Sequence, residues 1–170
     1  MRSIAVPSSA TNWVAPTATV AMMCADYSRQ RSRAMPQNIT HSVKTMVETA
    51  RKEIKELTAT EMIEKSKDPN VVMVDIRDPR ELDRDGRVPG AFHVTRGMLE
   101  FWIDPASTYY KPIFGEDKEF VFFCAGGLRS ALATKTAQDM GLKPVAHMIG
   151  GFGAWKAAGG TIETGPKKKA

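Results

Sequence analysis

Two short runs constrain this chain more than anything else in it: Val71-Val72-Met73-Val74 and Phe120-Val121-Phe122-Phe123 are apolar at every position. A strand with one solvated face alternates apolar and polar residues, so an unbroken apolar run of this length marks a strand covered on both faces. Such strands belong to parallel sheets, and parallel neighbours need helical crossovers between them. The sequence supplies those helices. Val43, Met46, Val47, Ala50 and Ile54 fall on one helical face and lead into a short strand over 54–57. Thr58 with Glu61 three residues later forms a capping box, which opens a helix ending before Asp68-Pro69-Asn70.

The alternation continues. A helical segment over 79–83 leads through a turn at Gly86 to Gly90 into a strand over 91–94. Further helical residues over 98–103 precede a polar loop, 104–118. After the Phe120 run, 130–140 reads as a helix, with Gly141 in the stop position and Pro144 beyond it. Val145 to Met148 is the last strand and 151–158 the last helix. This order specifies an α/β fold, a mostly parallel sheet with helices on both faces, whose site lies at the carboxyl ends of its strands.

The formal net charge of +5 on 170 residues would suggest nucleic acid as a partner, but it sits at the ends. Residues 1–40 carry +3, Lys167 to Lys169 another +3, and the body between them −1. A surface that tracks phosphates needs basic residues clustered on the folded body, so no nucleic-acid partner is expected. No stretch approaches the roughly 18 consecutive apolar residues of a membrane span, so no membrane role is expected either. Cys24 and Cys124 lie far apart in unlike surroundings, which suggests neither a disulfide nor a zinc site and points to a reducing cytoplasm.

Residues 1–40, interrupted by Pro7, Pro16 and Pro36, read as a disordered leader. Val14 to Cys24 is too broken for a secretory core, whereas the arginines and scarcity of acids also fit a mitochondrial transit peptide. A third reading starts translation at Met35. Residues 41–65 are then an opening helix and strand, 66–163 the main domain, and 164–170 a basic tail.

The strand-end rule selects Cys124-Ala125-Gly126-Gly127-Leu128-Arg129-Ser130 as the candidate site. Gly126 and Gly127 allow a tight loop whose backbone N–H groups turn inward, and the following helix adds the positive end of its dipole. The loop becomes an anion cradle with a thiol on its rim. Its field, with the Arg129 guanidinium, favours thiolate over thiol, and a persulfide on the same sulfur would be held by the same N–H groups. Cys24 has no such surroundings. His41, His93 and His147 lack ligand spacing, so no metal and no cofactor is expected.

Here the chain resembles the rhodanese family of sulfurtransferases over 66–163. The resemblance rests on four stretches in order: Asp75-Ile76-Arg77 with Glu81 beyond it, Gly86-Arg87-Val88-Pro89-Gly90-Ala91, the Cys124 to Ser130 loop, and Gly150-Gly151-Phe152-Gly153-Ala154-Trp155. Arg87 stands where the family usually has histidine. The resemblance implies a five-stranded parallel sheet with flanking helices and a double displacement. Cys124 takes the outer sulfur of thiosulfate or a similar donor as a persulfide and passes it to cyanide or a thiol. Arg129 would steer the donor, and Asp75, Arg77 and Glu81 would support the fold.

The same fold carries cysteine phosphatases with a C-x5-R loop. Arg129 is the fifth residue after Cys124, so this loop is one residue short. A phosphoryl group needs a wider ring of donors than one sulfur atom, which favours sulfur transfer. A persulfide carrier or docking module for a protein partner is the remaining alternative. Trp102, Tyr109 and Tyr110 read as packing residues that could also shape donor access, and Trp155 as core. The donor and the oligomeric state are left open.

Overall fold

The computed structural model describes residues 38–164. The leader reading for 1–40, Cys24 and the basic tail therefore lie outside the described residues, apart from 38–40 and 164. Helix α1 spans Val43–Arg51, β1 Lys55–Leu57, α2 Ala59–Lys65, β2 Val71–Asp75, α3 Pro79–Asp85 and β3 Phe92–His93. After a 3-10 turn at Arg96–Met98 come α4 Leu99–Ile103, a second 3-10 turn at Pro112–Gly115, β4 Glu119–Phe123, α5 Leu128–Asp139, β5 Val145–Met148 and α6 Gly151–Ala157. The five strands form one sheet in the order β1-β5-β4-β2-β3, every pair parallel.

The two apolar runs became β2 and β4, side by side at the middle of the sheet. Their alternate side chains fill two cores. Val72, Val74, Phe120 and Phe122 meet Leu99 and Ile103 of α4 and Ala133 and Ala137 of α5 on one face. Met73, Val121 and Phe123 meet Met62 of α2 and Phe152 and Trp155 of α6 on the other. Burying both faces is why neither run could contain a polar residue. Small residues on α5, Ala131, Ala133, Thr134 and Ala137, let that helix lie close on the sheet, and α1 packs on it through Val47, beside Ile54 and Ala131.

Local chemistry sets the ends of the elements. Both Thr58-Glu61 and Asp78-Glu81 form complete capping boxes, at α2 and α3. The Arg87 turn is zipped to the chain end: Arg87 N–H donates to Glu163 O at 2.8 Å and Glu163 N–H to Arg87 O at 2.9 Å. Trp102 packs its ring on Phe92 at 5.9 Å, while Tyr109 stays exposed against Phe101. Among the described residues no helix is long and apolar enough to cross a membrane. At the carboxyl edge of the sheet, Asp75 and Phe123 are register partners. The Asp75-Ile76-Arg77 stretch and Cys124 therefore emerge next to each other.

Candidate functional site

The loop after β4 turns straight into α5. Gly127 is the residue before the helix, with φ +90, a left-handed conformation that glycine adopts without strain. Its N–H points at the Cys124 Sγ, 3.2 Å away. Gly126 has no positive φ and open space where a Cβ would stand. The turn expected of both glycines is thus made by Gly127 alone.

The start of α6 holds the loop from outside. Phe152 N–H donates to Cys124 O at 2.7 Å and Gly153 N–H to Ala125 O at 3.0 Å. With those carbonyls engaged by α6, the Gly127 amide is left facing the sulfur. The contact is so close that a Cβ on Gly151, itself at φ +56, would stand 2.1 Å from Cys124 O. Gly151→Ala is expected to cost about 2 kcal/mol or more, from left-handed strain and the clash together. It should also displace the loop. Thermal unfolding and sulfur loading at Cys124, measured together, check this; unchanged values for both would contradict the packing role.

Cys124 itself is 1% exposed, so the thiol lies on the floor of the cradle and not on its rim. It belongs to the core under α4 and α5, because the strand that delivers it is buried to its last residue. Gly127 and Ser130 are buried around it, Ala125 is half-buried, and Gly126, Leu128 and Arg129 are exposed. The Ser130 hydroxyl reaches the Cys124 Sγ at 3.6 Å.

Arg129 does not stand free. Its two terminal nitrogens donate to the Glu81 carboxylate at 2.7 and 2.8 Å, a fork that fixes the guanidinium against α3. Glu81 also caps α3 by accepting from Asp78 N–H at 3.0 Å. The paired Arg129, then the Asp78 N–H, hold the Glu81 carboxyl down to about 2 against the effect of its partial burial. The guanidinium is pushed up chiefly by its hydrogen bonds to Glu81, against its own partial burial. Glu81 therefore supports the fold as the cap of α3 and also holds the loop's arginine in place, a contact the sequence did not indicate.

The depressed Glu81 carboxyl fixes a sign for pH dependence. A group whose folded value lies below its ordinary value near 4.5 contributes stability above that value and loses it as pH falls toward about 2. Over that window the wild type should lose more stability than Glu81→Gln, whose curve lacks this contribution. Chemical denaturation of both proteins at several pH values checks it; parallel curves would remove Glu81 from the acid transition.

Asp75 and Arg77 make a separate, buried pair. Arg77 donates from Nε and Nη2 to the Asp75 carboxylate at 2.7–3.0 Å and from Nη2 to Gly86 O at 2.9 Å, with its guanidinium 3.8 Å above the Phe152 ring. This ties β2, the Gly86 turn and α6 together beneath the loop. Of the histidines, His41 is exposed, His93 is half-buried on Arg77 O at 2.8 Å, and His147 is buried. Among the described residues, no cluster of three or more His, Cys, Asp or Glu is arranged to hold a metal ion.

The model of the rhodanese-like domain matches residues 58–158, which begin just after β1 and take in the other four strands, the loop and α6. The chain belongs to the rhodanese-like family. A Bacillus subtilis protein named as a sulfurtransferase, YtwF, is 31% identical over 116 residues, covering 68% of this chain and 98% of that one. The thiosulfate:glutathione sulfurtransferase of Saccharomyces cerevisiae is 33% identical over 98 residues, 55% of this chain and 70% of its own length. A solved structure from Rhodopseudomonas palustris, of a protein of unknown function described as a possible tyrosine phosphatase, is 66% identical. It matches with a TM-score of 0.74 over 76% of this chain and 100% of that chain.

Within this rhodanese-like domain, sequence reasoning missed Glu81 as the partner of Arg129, and the surroundings of Ser130. One signal was present. His147 interrupts the last apolar strand, Val145-Ala146-His147-Met148, and a buried polar side chain in such a run needs a partner.

Proposed function

We propose that this sulfurtransferase-type enzyme transfers a sulfane sulfur through a persulfide on Cys124, with thiosulfate or a similar small anion as donor and cyanide or a thiol as acceptor. The observation that carries the reading is the six-residue cradle from Cys124 to Arg129, closed tightly enough that the Gly127 N–H lies 3.2 Å from the sulfur. In the first step the Cys124 thiolate attacks the outer sulfur of thiosulfate, the donor's S–S bond breaks, and its electron pair leaves with sulfite. In the second, the acceptor attacks the outer sulfur of the persulfide, and the Cys124 thiolate returns as leaving group. No net redox change falls on the protein.

Ala125, Gly126, Gly127, Leu128 and Ser130 form the wall of the cradle, and their N–H groups with the α5 dipole favour anionic sulfur in both states. Arg129, held by Glu81, presents its remaining donors and its charge to the incoming anion. The names of the Bacillus and yeast relatives support the same chemistry, Cys124 is a free cysteine among the described residues, and the enzyme is assigned to a reducing cytoplasm, where a thiol nucleophile persists. Docking alone would not need a nucleophile under two hydrogen-bond donors.

The test is steady-state thiocyanate formation from thiosulfate and cyanide, with intact-mass detection of one added sulfur on Cys124, against hydrolysis of an aryl phosphate. Sulfur loading with thiocyanate turnover supports the reading. Efficient phosphate hydrolysis without sulfur loading would overturn it in favour of the phosphatase reading suggested by the Rhodopseudomonas protein's description.

A further inference from the structure

Behind Cys124 a chain of polar side chains runs from Ser130 to His147, Glu56 and Arg51, and the sulfur-transfer scheme makes no use of the last three. Ser130 Oγ lies 3.6 Å from the Cys124 Sγ, 3.1 Å from Gly127 O and 3.2 Å from His147 Nδ1. His147 Nε2 in turn meets Glu56 Oε1 at 2.9 Å, and Arg51 pairs with the same carboxylate through Nε at 2.6 Å. Ser130 and His147 are buried at 0% and 1% exposure, while Glu56 and Arg51, at the far end, are partly open to solvent. The arrangement is set by the sheet: Glu56 on β1 and His147 on β5 are register partners, and Ser130 is in the first turn of α5, which lies over them.

The donor count makes this chain directional. A carboxylate accepts only, so Glu56 fixes the proton of neutral His147 on Nε2 and leaves Nδ1 as an acceptor. The Ser130 hydroxyl has one proton and three acceptors in reach. While His147 is neutral, that proton can serve Nδ1, and the serine oxygen can accept from the Cys124 S–H. When Nδ1 carries a proton, it donates to Ser130 Oγ, and the hydroxyl is free to donate to sulfur.

We propose that His147, held by Glu56, takes the proton of Cys124 through Ser130, so that thiolate at Cys124 and imidazolium at His147 form together. The S–H bond breaks with its electron pair remaining on sulfur. That proton joins Ser130 Oγ while the serine's own proton passes to His147 Nδ1. The product is a thiolate facing two donors, Ser130 O–H and Gly127 N–H, and an imidazolium facing the Glu56 carboxylate. His147 is thus a positioning residue, acting on the nucleophile through Ser130. The inference rests on Cys124 being the nucleophile, as proposed above.

The charged groups around this pair are Glu56 on β1, Arg51 at the end of α1, Arg129 on α5 and, through it, Glu81 on α3. Burial pushes the imidazole down while Glu56 holds it up and Arg51 opposes, leaving it lowered and neutral at rest, as an acceptor must be. The Glu56 carboxyl is held down chiefly by Arg51, so it is ionised throughout the working range.

The experiment is a pH titration of the thiolate by its ultraviolet absorbance, referenced to Cys124→Ser, in the full chain with no sulfur donor present. His147→Asn keeps an acceptor beside Ser130 but cannot take a proton. Its thiolate midpoint should rise by about one pH unit, with a smaller rise in Glu56→Gln. In a Ser130→Ala background, His147→Asn should add nothing, because the path between them is gone. Midpoints that match the wild type in both His147→Asn and Glu56→Gln, or an equal His147→Asn effect with and without Ser130, would overturn the proposal. Should His147→Asn not fold, Glu56→Gln, at the partly exposed end of the chain, decides alone. Failure of the sulfur-transfer reading would appear separately, as absent thiocyanate with the coupling intact.

Discussion

Cys124→Ser is expected to fold with an unchanged melting temperature and to lose thiocyanate formation by at least about three orders of magnitude, down to background. The reason is specific to the site. A serine oxygen would fit the same cradle, since the Gly127 N–H and the Ser130 hydroxyl that face the sulfur also suit oxygen. It would carry no thiolate and could form no persulfide. The intact-mass gain of one sulfur should vanish with the activity. Residual turnover within about tenfold of wild type would move the chemistry off Cys124 altogether, while unchanged binding of a protein partner with lost sulfur loading would separate docking from catalysis.

The second large effect is on stability. Asp75→Ala is expected to destabilise the fold by about 3–5 kcal/mol, because it strands the guanidinium of Arg77 in the interior. Arg77 is 0% exposed and Asp75 2% exposed. Three of the contacts that compensate the buried charge go to that one carboxylate, leaving only Gly86 O and the face of the Phe152 ring. Arg77 Nη1 already lacks a hydrogen-bond partner, so the pair has no reserve. For a domain of this size the loss corresponds to a melting temperature lower by roughly 10–20 °C. Asp75→Asn, which keeps an acceptor but not the charge, should fall between the two. A loss below about 1 kcal/mol in Asp75→Ala would show that the charge is compensated by something other than this carboxylate.

The two predictions differ in how far sequence alone supports them. Cys124 could be singled out because its signal is local: an apolar strand, then a cysteine, glycines and an arginine within seven residues. The element order was legible for the same reason. Apolar periodicity, the Thr58-Glu61 capping box and the Gly141 stop act over one or two turns of chain, and the observed elements follow them with shifts of one or two residues at their ends. Asp75-Ile76-Arg77 could be read as a unit, but its burial beneath α6 could not.

Local residue patterns thus specified the parallel α/β sheet, the position of the loop at the end of its central strand, and a loop one residue shorter than C-x5-R. Tertiary structure decided which groups meet there. It brought Glu81 to Arg129 across 48 residues and Glu56 to His147 across 91, sank the sulfur to the floor of the cradle, and made Gly151 necessary through a backbone contact from α6. The physical reason is one of range. Propensity, capping and burial periodicity are properties of neighbouring residues, whereas a hydrogen bond between two strands or two helices depends on register and packing; a polar residue in an apolar run, as at His147, shows that a partner is needed but not which residue it is.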